Sequence, residues 1–187
     1  MLNLLVIIAS TRPGRAGWPI GQWFVQFAER HGSFHVTLAD LAKINLPLLD
    51  EPAHPRLRQY EHEHTKAWSE LVNAADAFVL VTPEYNYFAP PALVNAVDYL
   101  LHEWGYKPAG FVSYGGMSGG VRSVQAIKPL LTSVSVMPLP LGVAIPLVSK
   151  YIDDTRTFVA TDQHEHSARA MLDELRKWAT ALKPLRE

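Results

Sequence analysis

Five short apolar runs alternate with five helical patterns along this chain, and that alternation limits the fold more than any other feature. The first run, LNLLVIIA at Leu2–Ala9, is continuous and rich in branched aliphatics, the pattern of a strand covered on both faces. Ile20, Trp23, Phe24, Phe27 and Ala28 then recur at helical spacing across Pro19–His31, and Gly32 is placed to stop a helix. FHVTLADL (Phe34–Leu41) predicts a second strand, and the prolines of the following INLPLLDEPAHPRL predict a loop. Tyr60–Ala75 reads as a helix and Asp76–Thr82 as a third strand. Pro90 and Pro91 suit the first turn of a helix over Ala92–Trp104, because proline there gives up an N–H that has no intrahelical partner. Ala109–Gly115 predicts a fourth strand and Val121–Ser133 another helix. A fifth strand falls within SVSVMPLPLGVAIP, broken by Pro138 and Pro140. Asp162 with Glu165 resembles a capping box that opens a last helix over about Gln163–Leu182.

Strands alternating with helices imply a parallel sheet covered on both faces. Five of them predict the flavodoxin-like strand order 2-1-3-4-5, an α/β three-layer sandwich forming one domain over residues 1–187. Ligands of such sheets sit beyond the carboxyl ends of the strands, at the switch between strands 1 and 3. The loops leaving that edge are STRPGRAGW, TPEYNYFAPP and SYGGMSGGVR, the stretches of this chain richest in Gly, Pro, hydroxyl and aromatic residues.

The first loop carries the chemistry of an anion site. A helix N-terminus offers unpaired amides and partial positive charge. Gly14 and Gly17 allow close backbone approach, Ser10 and Thr11 supply hydroxyls, and Arg12 and Arg15 can grip phosphate oxygens. The Gly-Lys-Ser/Thr ending of a Walker loop and the G-x-G-x-x-G dinucleotide spacing are both absent, so the pattern points to a mononucleotide. In PEYNYFAPP, Tyr85, Tyr87 and Phe88 could wall a flat heteroaromatic ring. The glycines of YGGMSGG would let backbone lie against such a ring.

Composition removes several alternatives. A net charge of -1 argues against a general nucleic-acid binder and against a strongly acidic electron carrier. With no cysteine, disulfides, thiol catalysis and Cys-ligated metals are excluded. No apolar run reaches membrane-spanning length, so a cytoplasmic protein without membrane contact is expected. The two HEH triplets, His62–His64 and His164–His166, are expected on helices, where residues two apart diverge, so no metal site is expected.

STRPGR after the first strand, ADAFVLVTPEYNYFAPPALVNAVDYL around the third and KPAGFVSYGGMSGGVRS around the fourth resemble the NADPH-dependent FMN reductase family, which includes chromate and quinone reductases and azoreductase-like enzymes. The resemblance implies FMN as cofactor, with NADPH or NADH as co-substrate and a quinone, flavin or similar small molecule as acceptor. It maps the FMN phosphate onto Ser10, Arg12, Arg15, Gly17 and Trp18, with Thr11 beside them. It maps the isoalloxazine onto Pro83, Glu84, Tyr85 and Asn86, and onto Tyr114, Gly115 and Gly116. No catalytic side chain is implied, since the flavin carries the chemistry. A homodimer or homotetramer is expected by the same resemblance. A flavodoxin-type electron carrier, or a flavin-binding redox module without turnover, would share the fold and the cofactor.

Overall fold

The computed structural model describes residues 1–186. Strands β1 (Leu2–Ile8), β2 (Phe34–Asp40), β3 (Ala77–Pro83), β4 (Lys107–Tyr114) and β5 (Val136–Ile145) form one parallel sheet in the order β2-β1-β3-β4-β5. This is the strand order expected from the sequence. Helices α1 (Gly17–His31), α2 (Leu41–Ile44), α3 (Glu63–Asn73), α4 (Pro91–Asp98), α5 (Val121–Ser133) and α6 (Asp162–Leu182) connect and follow them.

Strand side chains alternate between two cores, as the two-residue period of a strand requires. Leu5, Ile7, Phe78, Leu80 and Phe111 face α3, α4 and α5; Leu4, Val6, Ile8, Val79, Val81 and Val112 face α1 and α6. From Leu4 to Ser10 every residue of the β1 region is buried. Trp68 and Trp104 fill the first core edge-to-face, 5.9 Å apart. Their indole N–H groups donate to Ala96 O (2.8 Å) and Val97 O (3.1 Å), so the same two rings that fill the core also fix α4 behind β3.

Four local expectations change. α4 ends at Asp98 and is followed by a separate 3-10 turn at His102–Trp104, rather than running on to Trp104. β5 is one ten-residue strand through Pro138 and Pro140. It lies at the sheet edge, which tolerates proline, and the prolines interrupt its pairing rather than the strand: the register with β4 shifts between Pro138–Ala109 and Gly142–Phe111. α6 is capped by Thr161 with His164 in the capping box, not by Asp162 with Glu165. α3 begins at Glu63, which leaves His62 as its N-cap outside the helix.

Candidate functional site

β1, β3 and β4 are neighbours, so their carboxyl ends deliver three loops to one rim. A hollow of about 240 Å³ lies between those loops; Arg12, Arg15, Pro83, Tyr85, Tyr114 and Gly115 are among its walls. The first loop opens as a tight turn: Arg15 N donates to Arg12 O at 3.2 Å, with Pro13 and Gly14 at its centre. Gly14 has φ 67°, which its lack of a side chain allows. Buried Ser10 accepts a hydrogen bond from Tyr114 OH at 3.0 Å, tying the first loop to β4. Burial raises the Tyr114 phenol well above its ordinary range, so it stays a donor. Gly17 passes against this pair: a Cβ there would stand 2.4 Å from Ser10 Oγ and 2.5 Å from Tyr114 OH. The amides of Ala16, Gly17 and Trp18 donate to no other described residue, as the first turn of a helix requires.

The two arginines of this loop differ. Arg15 donates from Nη1 to Ser10 O (3.0 Å) and from Nη2 to Asp40 Oδ2 (2.6 Å), at the end of β2. It braces the loop while also lining the hollow. Arg12 is exposed and has no carboxylate partner among the described residues. Thr11 is exposed beside it, and Trp18 is half-buried with Lys43 Nζ 4.5 Å from its ring centre.

The second loop makes a two-residue reversal. Tyr85 and Phe88 exchange both backbone hydrogen bonds at 2.9 Å, and Asn86 (φ 51°) and Tyr87 (φ 68°) sit between them in the left-handed region, the geometry of a type I′ turn. The Tyr85 amide is therefore engaged within the loop, while those of Asn86 and Tyr87 have no described partner. Pro83 is buried and Glu84 half-buried. Glu84 accepts from Ser118 Oγ (2.7 Å) and Arg122 Nε (2.7 Å). Burial opposes its ionisation, but those two donors outweigh burial and hold its carboxyl below the ordinary range. The Arg122 guanidinium also lies 3.9 Å from the Tyr87 ring centre. This clasp across two loops was not legible in sequence, because Arg122 stands 38 residues from Glu84.

The third loop exposes backbone. Gly115 is half-buried against β5, its amide donating to Ile145 O at 3.3 Å. A Cβ at Gly116 would meet nothing within 4 Å. Gly120 (φ 82°) is required by packing: a Cβ there would lie 2.7 Å from Tyr114 N and 2.8 Å from Tyr114 O. The structure thus brings together Ser10, Thr11, Arg12, Arg15, Gly17, Trp18, Pro83, Glu84, Tyr85, Asn86, Tyr114, Gly115 and Gly116 at one edge. It adds Val148 and Arg156, whose loop follows β5.

The HEH triplets do not behave alike. With His62 outside α3, its ring stacks on His64 at 5.1 Å, and both approach Asp50. The expectation that the two rings diverge does not hold for this pair. Among the described residues, no group of three or more His, Asp or Glu is arranged to hold a metal.

Residues 2–149 match the family model described as NADPH-dependent FMN reductase. The chain belongs to that family. An NAD(P)H-dependent FMN reductase of Schizosaccharomyces pombe is 43% identical over 120 residues, covering 63% of this chain and 60% of that one. The chain thus spans about three-fifths of that relative's length. An FMN-dependent NADPH-azoreductase of Staphylococcus saprophyticus is 27% identical over 179 residues, 91% of this chain and 92% of that one. Among solved structures, FerB, an NAD(P)H:acceptor oxidoreductase flavoenzyme of Paracoccus denitrificans, superposes with a TM-score of 0.76 at 19% identity, over 97% of this chain and 99% of that one. At that identity the likeness establishes the shared fold of the family.

Proposed function

We propose that this member of the FMN reductase family is an FMN-dependent NAD(P)H oxidoreductase acting on a quinone, flavin or similar small acceptor. The observation that carries the reading is the convergence of three loops on one hollow lined by Arg12 and Ala16, beside the start of α1, where the Arg12 guanidinium and the amides of Ala16, Gly17 and Trp18 have no partner among the described residues. These residues fit the group. A phosphate monoester carries roughly -1.5 to -2 charges, and a helix start with a guanidinium beside it suits that charge. The open space at Gly116 and the glycine at 115 leave room for a flat ring against backbone.

Bound FMN supplies two-electron redox chemistry between NAD(P)H and the acceptor. The chain's own residues bind and orient it. Ser10, Thr11, Arg12, Arg15, Gly17 and Trp18 would hold the phosphate, Arg15 also keeping the loop closed through Ser10 O and Asp40. Pro83, Glu84, Tyr85 and Asn86 would border one part of the ring and Tyr114, Gly115 and Gly116 another. With the Tyr85 amide engaged, the amides of Asn86 and Tyr87 are the ones left to meet the ring edge. No side-chain nucleophile takes part.

We read residues 1–187 as one cytoplasmic domain that assembles as a homodimer or homotetramer. Exposed apolar side chains beside the rim, Tyr87, Phe88 and Met117, support an assembly that covers it. No described helix is long and apolar enough to cross a membrane. The test is a visible spectrum of the purified protein with FMN. We expect a flavin band that bleaches on anaerobic NADPH addition; protein that takes up no FMN contradicts the reading.

A further inference from the structure

The two histidines of the second HEH triplet part company at the start of α6: His166 is exposed and His164 is buried. His164 is the third helical residue of the capping box. Its backbone N–H donates to Thr161 Oγ1 (3.4 Å), and its ring Nδ1 accepts from Thr161 N (3.1 Å). Capping boxes ordinarily use Glu or Gln there, whose side-chain oxygen stays an acceptor across the pH range in which histidine titrates. Histidine accepts at Nδ1 only as the neutral tautomer with its proton on Nε2; the imidazolium is a donor at both nitrogens. A second proton therefore sets two N–H groups against each other and breaks the box.

Among the described residues, the surroundings of this ring supply no anionic partner for that proton. α1 presents Trp23, its ring 6.5 Å away and its indole N–H itself buried without an acceptor. The segment after β5 presents Tyr151 (4.9 Å) and Phe158 (5.5 Å), of which only the Tyr151 phenol titrates. On α6 itself, Asp162 and Glu165 share the first turn but are exposed, and no carboxylate lies within ion-pair distance of the His164 ring. The start of a helix also disfavours a cation. Burial accordingly lowers the His164 pKa. Stability supplied by the neutral ring is present above the unfolded value of about 6.5 and is lost as pH falls from there through the folded pKa.

The rings that enclose His164 also anchor a hairpin. Ile152 pairs with Phe158, Asp153 N donates to Thr157 O (3.0 Å), and Val159 N donates to Tyr151 O (2.8 Å). Near its tip Arg156 sits at φ 64°, a left-handed position that a non-glycine residue holds only when its surroundings fix it. From there Arg156 donates to Gly14 O in the first loop. Val148 N, at the start of the same segment, donates to Gly115 O (3.1 Å) in the third loop. His164 thus underlies a segment that touches two of the three loops of the rim.

We propose that His164 is an acid-sensitive latch: its protonation opens the capping box, loosens the 151–159 hairpin and withdraws Arg156 from Gly14. Resting on the oxidoreductase reading above, the consequence is weaker retention of FMN in mild acid.

The test follows amide hydrogen exchange, corrected for the intrinsic rate, at about pH 5.5 and about pH 7.5, on either side of the ordinary histidine value, in wild type and His164→Gln. Glutamine keeps an acceptor at the capping position and does not titrate. In wild type the amides of Asp153, Val159 and Thr161 should lose protection at the lower pH while those of β1 keep it; in His164→Gln all should stay protected at both. Unchanged protection in wild type overturns the proposal, as does an equal loss in His164→Gln. Should His164→Gln not fold, the His164 ring resonances of wild type decide: titration in step with the loss of protection at Val159 supports the latch, and loss at a different pH overturns it. FMN dissociation constants at the two pH values read the coupling to the rim. The phosphate of FMN titrates at about pH 6 whichever protein binds it, so the expected result is a larger acid-side rise for wild type than for His164→Gln, and equal rises overturn the coupling. Protein that takes up no FMN but shows the exchange loss breaks the oxidoreductase reading and leaves the latch standing.

Discussion

The two ends of the sheet hold different kinds of cavity. At the amino ends of β3 and β4 lies the larger one, about 850 Å³, walled by Asp76, Lys107, Arg186 and Arg58 among others. Its charges answer one another. Asp76 receives Arg186 (2.7 Å), Lys183 (3.2 Å) and the Asn3 amide (2.9 Å). Lys107 donates to Val72 O and Asn73 O at the end of α3, and Arg58 faces Glu103 at 3.8 Å. At the carboxyl ends the hollows are about 240 and 320 Å³, yet among the described residues Arg12 and Arg156 have no acidic partner and the first amides of α1 have no acceptor. On the function we propose, unanswered charge rather than size marks the functional end of this sheet.

Substitutions at the two ends should separate accordingly. The largest effect is expected for Gly120→Ala at the carboxyl end, where a left-handed φ and a Cβ 2.7 Å from Tyr114 N coincide. Stability should fall by about 3 kcal/mol or more, read as a lower urea midpoint. Gly105→Ala at the amino end, with ordinary φ and a nearest contact of 3.3 Å, should change that midpoint far less. Next, Arg12→Ala should weaken FMN binding by about 1.5–3 kcal/mol, whereas Arg186→Ala should leave the FMN dissociation constant unchanged.

Asp76→Asn inverts that pattern. It should cost about 1–3 kcal/mol of stability by leaving Arg186 and Lys183 without their carboxylate, with FMN affinity intact. Burial opposes Asp76 ionisation, but the Asn3 amide, Lys183 and Arg186 outweigh burial and lower its pKa. A depressed carboxylate stabilises the fold above its unfolded pKa. That part of the wild-type advantage should therefore fade as pH drops through the folded pKa, below about 4. The smallest effect concerns Lys107. Burial, followed by repulsion from Arg186, lowers its pKa to about 8. The unfolded chain then binds more protons between pH 8 and about 10, so this residue makes stability rise with pH across that window. Lys107→Met should flatten the rise in urea midpoints measured at pH 8 and 10.

Much of this architecture could be read from the sequence. Continuous branched-aliphatic runs such as Leu2–Ala9 mark strands buried on both faces, and their alternation with helical patterns leaves few topologies. The three loops were legible for the same reason, since strand order alone brings them together. Sequence failed where tertiary context decided. Prolines 138 and 140 read as breaks, but an edge strand tolerates them. Arg12 and Arg15 read alike; only the fold shows that Asp40 engages one and leaves the other. Arg122 on Glu84 and Arg156 on Gly14 join residues 38 and 142 positions apart, which no local pattern reports.

In the function we propose, the carboxyl edge anchors a flavin through its phosphate. The decisive experiment is equilibrium titration of the flavin-free protein with FMN and with riboflavin, followed by quenching of flavin fluorescence. We expect saturable FMN binding at least about tenfold tighter than riboflavin binding, a difference supplied by Arg12 and the amides at the start of α1. Equal affinity for the two, or no quenching by either, would contradict it.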